Sequence, residues 1–485
     1  MPRSKRQPPV DERLLMSLNM TDFGPIADAS VDLKPLTVFI GPNNSGKSYA
    51  ALALRAALVA TWRVTPDRMA EPPALGFLKA IARALNTCTE DGEVALPEEA
   101  VRAQTTRLLQ RYAGTLGQNL ERDLLCPAGE LVRGGRTSLR FAVGMGSQAL
   151  ELATDQGGLG VAAWNGPSPG VKVRIPTKAG RHQMSGNVEG DDVILSLGSE
   201  FGVLRDAMAN EAADEAMRLL PGSFFGEVGQ RRCVYLPAGR TGIVQAHRAL
   251  AASYILRAPY AGLEDPVAPR LPGGFADFIG LLLEMSSREG YLVDDARQLE
   301  SDMIGGHILL DASRPYPEIM YEFDGGRIPL SQASSAVSEL APLFLYMAHQ
   351  AMPWDVLICE EPEAHLHPQN QRNVARLLVR LVRRGVHVVI TTHSEFLLEQ
   401  LSHFVQLGGP LASERQKRYA YSEDDYLQAD EVSVRLFKKK RTGGYGAKSI
   451  AVTQEEGIPQ DEFLSISEEM YEETLKIERE LAGGR

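Results

Sequence analysis

Gly41-Pro42-Asn43-Asn44-Ser45-Gly46-Lys47-Ser48 is the stretch that decides the fold. The octet fits GxxxxGK[ST] in full. It follows the apolar run Leu36–Ile40 and opens the Ala- and Leu-rich stretch Ser48–Trp62. Strand, glycine-rich loop and helix in that order are the setting of a phosphate-binding loop. Gly41 and Gly46 let the backbone curl through φ values that other residues avoid. The loop N–H groups and the helix N-terminus then face an anion. Lys47 has the reach to touch β- and γ-phosphates, and Ser48 carries a hydroxyl suited to Mg²⁺. The expected ligands are therefore ATP and Mg²⁺.

Val356-Leu357-Ile358-Cys359-Glu360-Glu361-Pro362-Glu363 is an apolar strand ending in acid. Carboxylates just past a parallel strand lie in the crevice where α/β sheets bind ligands. Glu360 is expected to serve the Mg²⁺ shell, and Glu361 to polarise an attacking water. Val388-Val389-Ile390-Thr391-Thr392-His393-Ser394 is a second buried strand, and it delivers His393 at its end toward the same place. Leu330-Ser331-Gln332-Ala333-Ser334-Ser335-Ala336 precedes an apolar helix predicted over Ser335–Met352. Serine hydroxyls at a helix start make an anion site; they equally make an ordinary N-cap, and spacing alone does not choose. His365 and His367, two apart, invite a metal reading. With no Cys or third His at ligand spacing nearby, a structural or dimer-contact role is expected instead.

The remaining pattern frames these motifs. Leu14–Met20, Val31–Leu33 and Cys233–Leu236 read as strands, Phe77–Leu85, Glu98–Leu124 and Phe201–Leu220 as helices. The Gly-rich stretch Thr137–Lys178 reads as β-hairpins, His247–Asp302 as mostly helical with a break at Pro266–Gly274, and Pro317–Phe323 as a strand. Pro368–Arg384 is a helix with Pro at its start. Val432–Phe437 against Ser449–Thr453 reads as a hairpin, and Ser467–Leu481 as a charged helix. Strands alternating with helices predict an α/β core with an added β-lobe.

Composition sets the limits. Of 485 residues, 44% are hydrophobic and 23% charged, as in globular proteins. No apolar run approaches the ~20 residues that span a bilayer, so no membrane role is expected. The basic, Pro-rich segment 1–10 lacks an apolar stretch behind it and reads as a disordered tail rather than a signal peptide. Cys88, Cys126, Cys233 and Cys359 show no CxxC spacing and read as reduced thiols of a cytoplasmic protein. The net charge of −11 argues against a surface that tracks DNA phosphates throughout, so any nucleic-acid contact must be local. Lys438-Lys439-Lys440-Arg441, followed by Thr442-Gly443-Gly444, is either a solvated hairpin turn or such a contact.

The order GPNNSGKS, LSQASSA, LICEEPEAHLHP, VITTHSEFLL resembles the ABC-type ATPases of the RecF/SMC branch. It is most similar to the overcoming-lysogenisation-defect (OLD-like) group and to the ATPase subunits of bacterial anti-phage systems such as Septu and PARIS. The resemblance covers Leu14–Ser48 and Ile304–Leu401, and Val234-Tyr235-Leu236-Pro237-Ala238-Gly239-Arg240 resembles a further segment of the group. It implies an ABC-ATPase head split into core segments 11–65 and 304–410, an inserted helical and β-hairpin lobe at 66–303, and a small α+β extension at 411–485. It also implies that two heads pair head to tail, as a homodimer or larger homo-oligomer. Ser334 and Ser335 would then face the γ-phosphate held by the partner head. Glu361 would be the catalytic carboxylate, His393 the switch histidine and Arg240 a sensor. Glu360 departs from the usual Asp, Ala336 from a frequent Gly, and no Q-loop glutamine is assigned. The segment after His393 shows no strand-end Glu with a later DxD of the kind in the TOPRIM nuclease of OLD proteins. The expectation is an ATPase without its own nuclease, acting on a separate effector, with DNA or a phage protein as further possible contacts. A RecF-like DNA clamp and an ATP-sensing scaffold with little turnover are the competing readings.

Overall fold

The structure, a computed structural model, describes residues 15–64, 72–89, 91–134, 136, 138–145, 148–155, 158–166, 169–175, 184–190, 192–197, 208–257, 271–311, 318–409, 415–419, 421–459 and 473–477. The segment 1–10, residues 266–270 of the expected Pro/Gly break and most of the expected C-terminal helix lie outside the described residues.

Three neighbouring stretches, Leu36–Ile40, Val356–Glu360 and His387–Thr392, are buried at every position. Burial on both faces is the mark of parallel strands covered by helices on either side. One face, with Phe39, Ile358 and Val389, packs on the helix Lys47–Val64 that follows the phosphate loop. The other, with Val38, Ile40, Leu357, Cys359 and Ile390, packs on Ser335–Leu345, Pro368–Arg383 and Glu395–Gly408.

These strands form part of an 11-stranded sheet. Its order is Cys233–Leu236, Val356–Glu360, His387–Thr392, Leu36–Ile40, Val432–Lys439, Tyr445–Ile450, Ile26–Leu33, Met16–Phe23, Arg140–Met145, Gln148–Asp155 and Gly158–Asn165. The first five run parallel. Their register aligns Leu236 with Cys359, Glu360 with Thr391, and Thr392 and Leu436 with Ile40. The C-terminal ends of five strands therefore meet along one edge, where the phosphate loop begins.

The structure redraws the expected segments. Val432–Lys439, read as part of a C-terminal extension, lies in the middle of the sheet beside the phosphate-loop strand. Asp425, in the acidic run before it, is buried and bound by Arg380 at 2.7 Å and Arg376 at 2.9 Å, which ties this segment to the helix Pro368–Arg383. Part of the expected insertion also belongs to the sheet: the hairpins of 140–165 continue it through Met16–Phe23, and Cys233–Leu236 forms its other edge. Another part is a lobe in which a four-stranded sheet (Glu93–Ala95, Val171–Arg174, Asp192–Leu197, Met184–Glu189) packs with Leu75–Thr87, Glu98–Leu124 and Ala209–Phe225, whereas the helices Arg240–Arg257, Gly273–Leu283 and Val293–Ile304 pack on the core beside Ser335–Leu345. The helix predicted over Ser335–Met352 stops at Leu345 and continues as a π-turn, Tyr346–Gln350. Pro342 inside it has no N–H to donate, and the ladder loosens after it.

Candidate functional site

The phosphate loop is held open by its own backbone. Gly41 has φ +140°, and a Cβ there would lie 2.5 Å from the Phe437 carbonyl oxygen. Gly46 has φ +96°, and a Cβ would lie 2.8 Å from Ile26. Asn44, at φ 58°, takes the left-handed conformation that Asn tolerates better than most residues. Pro42, Asn43 and Asn44 are exposed, whereas Ser45, Gly46 and Lys47 are buried. The Lys47 ammonium donates to the Gly41 and Pro42 carbonyls at 2.9 Å each. Burial lowers its pKa to about 8, against the opposing pull of Glu361, Glu360 and Glu363. A cation so placed, ringed by acids and poorly hydrated, gains most from an anion in the loop. The Ser45 hydroxyl is buried without a partner, as fits a cradle whose polar groups point at a ligand.

Glu360 meets Ser48 across the sheet edge. The hydroxyls of Ser48 and Tyr235 hydrogen-bond its carboxyl group, and burial raises its pKa to about 7. Its Oε1 has no partner. A buried carboxylate with a free oxygen beside a serine hydroxyl is an oxygen donor set that suits a hard cation such as Mg²⁺. Tyr235, on the edge strand Cys233–Leu236, was not singled out by the sequence; its place beside Glu360 follows from the register of the two strands.

Glu361 occupies the left-handed region at φ 43°, and its N–H donates to the Thr391 carbonyl at 2.9 Å. This turns its half-exposed carboxylate toward His393, whose Nε2 lies 3.6 Å from Oε1. Burial, then the charge of Lys47, lowers the His393 pKa, with Glu361 opposing. Lys47, Glu361 and His393 thus share one electrostatic pocket, and the imidazole is held toward its neutral form.

Glu363 is a further residue that the sequence reading left unassigned. It is buried, accepts from the Thr392 hydroxyl, and accepts from the His393 N–H at 3.0 Å. It fastens the acidic turn to the strand that carries His393. The only sequence signal for it was the third acid in the run Glu360–Glu363.

Arg240 requires a correction. As a sensor it would reach the nucleotide; instead its side chain is fully buried behind the acidic turn. Its guanidinium donates to the carbonyls of Glu360 at 2.9 Å, Pro362 at 3.2 Å and Glu361 at 3.3 Å. Carbonyl and carboxylate groups of neighbouring segments draw it inward, so none of its donors faces the loop.

Ser334 and Ser335 are exposed at the start of Ser335–Leu345. Ser334 Oγ accepts from the Val337 N–H at 3.4 Å, an N-cap, and the helix start remains open to solvent. His367 caps Pro368–Arg383, its Nδ1 accepting from the Gln369 N–H at 3.4 Å. In the basic hairpin, Lys438, Lys439 and Arg441 are exposed, but the Lys440 ammonium is bound to Asp28. A phosphate-backbone contact there would thus lose one of its cations to a structural ion pair.

The family profile described as "AAA domain, putative AbiEii toxin, Type IV TA system" matches residues 292–399. No curated protein matches the chain. Similar solved structures include an SMC head bound to the C-winged helix domain of ScpA, at TM-score 0.40 and 9% identity over 90% of this chain and 97% of that one. The SMC head domain from Thermotoga maritima aligns at TM-score 0.34 and 12% identity, over 91% and 100%. An SMC head with an extended coiled coil, bound to the C-terminal domain of ScpA derived from Pyrococcus furiosus, aligns at TM-score 0.38 and 10% identity, over 94% and 98%. Among the described residues no helix is long and apolar enough to cross a membrane. Strand order, loop and acidic strand end together make this an α/β fold with a phosphate-binding loop and an acidic turn at the C-terminal edge of its parallel strands.

Proposed function

We propose that the chain is a Mg²⁺-dependent ATPase whose heads pair around ATP to control a separate effector, a nuclease or toxin, in bacterial defence against phage. The observation that carries the ATPase reading is the convergence of Lys47, Ser48, Glu360, Glu361 and His393 on one sheet edge. Lys47 and the loop N–H groups bind the phosphates. Ser48 and Glu360 would hold Mg²⁺, which supplies charge neutralisation at the phosphate oxygens. Glu361 accepts a proton from water, and His393 orients it. The exposed serines at the start of Ser335–Leu345 support a composite site, because a helix start carrying hydroxyls is ready to receive an anion from another molecule. The matched profile, named for a toxin of a toxin–antitoxin system, supports the defence setting.

The test is phosphate release by the wild type and by Glu361→Gln, with co-purification against the product of the neighbouring gene in the presence and absence of ATP. Turnover that vanishes in the variant, and an ATP-dependent complex, are expected. Wild-type release no higher than that of Lys47→Ala overturns the ATPase reading. Failure both to bind the neighbour's product and to protect cells from phage overturns the defence reading.

A further inference from the structure

The buried guanidinium of Arg240 joins two parts of the head that the proposed function assigns to different nucleotides. On one side it holds the carbonyls of Glu360, Glu361 and Pro362. On the other it holds Glu339, in the second turn of the helix that Ser334 caps: Nε donates to the Glu339 carbonyl at 3.0 Å, and Nη2 pairs with its carboxylate at 2.7 Å. Thr241 donates to the same carboxylate. Arg240 and Glu339 are both fully buried. A buried ion pair that merely filled space is replaceable by apolar side chains. This one also supplies donors to consecutive carbonyls of a turn whose central residue, Glu361, sits at φ 43°, a conformation that persists only where the surroundings impose it.

We infer that Arg240 is a positioning residue that makes the helix Ser335–Leu345 and the Glu361 turn one mechanical unit. Seating a partner head's nucleotide on Ser334 and Ser335 thereby fixes the carboxylate that acts on this head's own nucleotide, and the two composite sites of a dimer are coupled through each head. The inference rests on the composite-site reading proposed above.

Lysine keeps the charge of Arg240 but lacks the planar fork that spans both segments. In the full chain, Arg240→Lys and Glu339→Gln are compared with the wild type in three measurements: affinity for a fluorescent ATP analogue, steady-state phosphate release, and backbone hydrogen exchange. Affinity is expected to change by less than about threefold while kcat falls about 100-fold, the effect of misplacing a catalytic group from a distance. Exchange is expected to rise together at 334–338 and 360–364 and to stay unchanged at 41–48. A rise confined to one of the two segments, or one that spreads equally to the phosphate loop, overturns the inference. So does unchanged turnover in both variants. If Arg240→Lys does not fold, Glu339→Gln and Thr241→Val test the same link from the other side. Should the wild type itself release no phosphate, the ATPase reading falls, and the exchange pattern still decides whether the two segments form one unit.

Discussion

Two turns at one sheet edge, the phosphate loop after Ile40 and the acidic turn after Glu360, solve similar problems by opposite means. Each holds a non-glycine residue in the left-handed region, Asn44 in one and Glu361 in the other. The phosphate loop is braced mostly from within, by two glycines at positive φ and by Lys47 folded onto the carbonyls of Gly41 and Pro42. The acidic turn is braced from outside. Thr391 receives the Glu361 N–H, Glu363 grips Thr392 and His393, and Arg240 holds three successive carbonyls. The first is a self-contained binding device. The second is tied to the helix Ser335–Leu345 and to the strand that ends before His393.

That contrast predicts binding defects from the first turn and turnover defects from the second. Glu361→Gln should lower kcat by about 10³-fold, since it removes the proton acceptor, while leaving affinity for an ATP analogue unchanged; a matching loss of affinity would erase the distinction. Lys47→Ala should weaken nucleotide binding about 100-fold through loss of charge-assisted hydrogen bonds, read by titration with a fluorescent analogue. Glu363→Ala should free His393 and cost about 10-fold in kcat, again with affinity retained; an effect on affinity alone would place Glu363 with the loop instead. Gly41→Ala, forced to φ +140° with its Cβ 2.5 Å from the Phe437 carbonyl, should destabilise the fold by about 2 kcal/mol. Thermal unfolding checks it, and an unchanged midpoint would show that the loop yields more readily than its contact with Val432–Lys439 implies.

The same contrast explains what the sequence made legible. The phosphate loop is a local pattern, and its strand, turn and helix fall within Leu36–Val64. Glu360, Glu361 and His393 were readable because each ends an apolar strand. Glu363 was not, because a third acid in a run looks like a solvated turn until Thr392 is seen beside it. Arg240 was misread for a related reason: its partners come from remote segments, and an arginine opening a helix carries no sign that it is buried. The strand Val432–Lys439 looked peripheral because a hairpin signal says how two strands pair with each other and nothing about a third. Its partner, Leu36–Ile40, lies near the other end of the chain.

We propose that each nucleotide site needs a second head. Sedimentation of Glu361→Gln with ATP, with and without an added Ser335→Arg, decides whether it does. Glu361→Gln should form an ATP-dependent dimer, and Ser335→Arg should abolish that dimer while binding of the ATP analogue is retained. A dimer that survives Ser335→Arg, or binding lost together with pairing, would contradict the composite site.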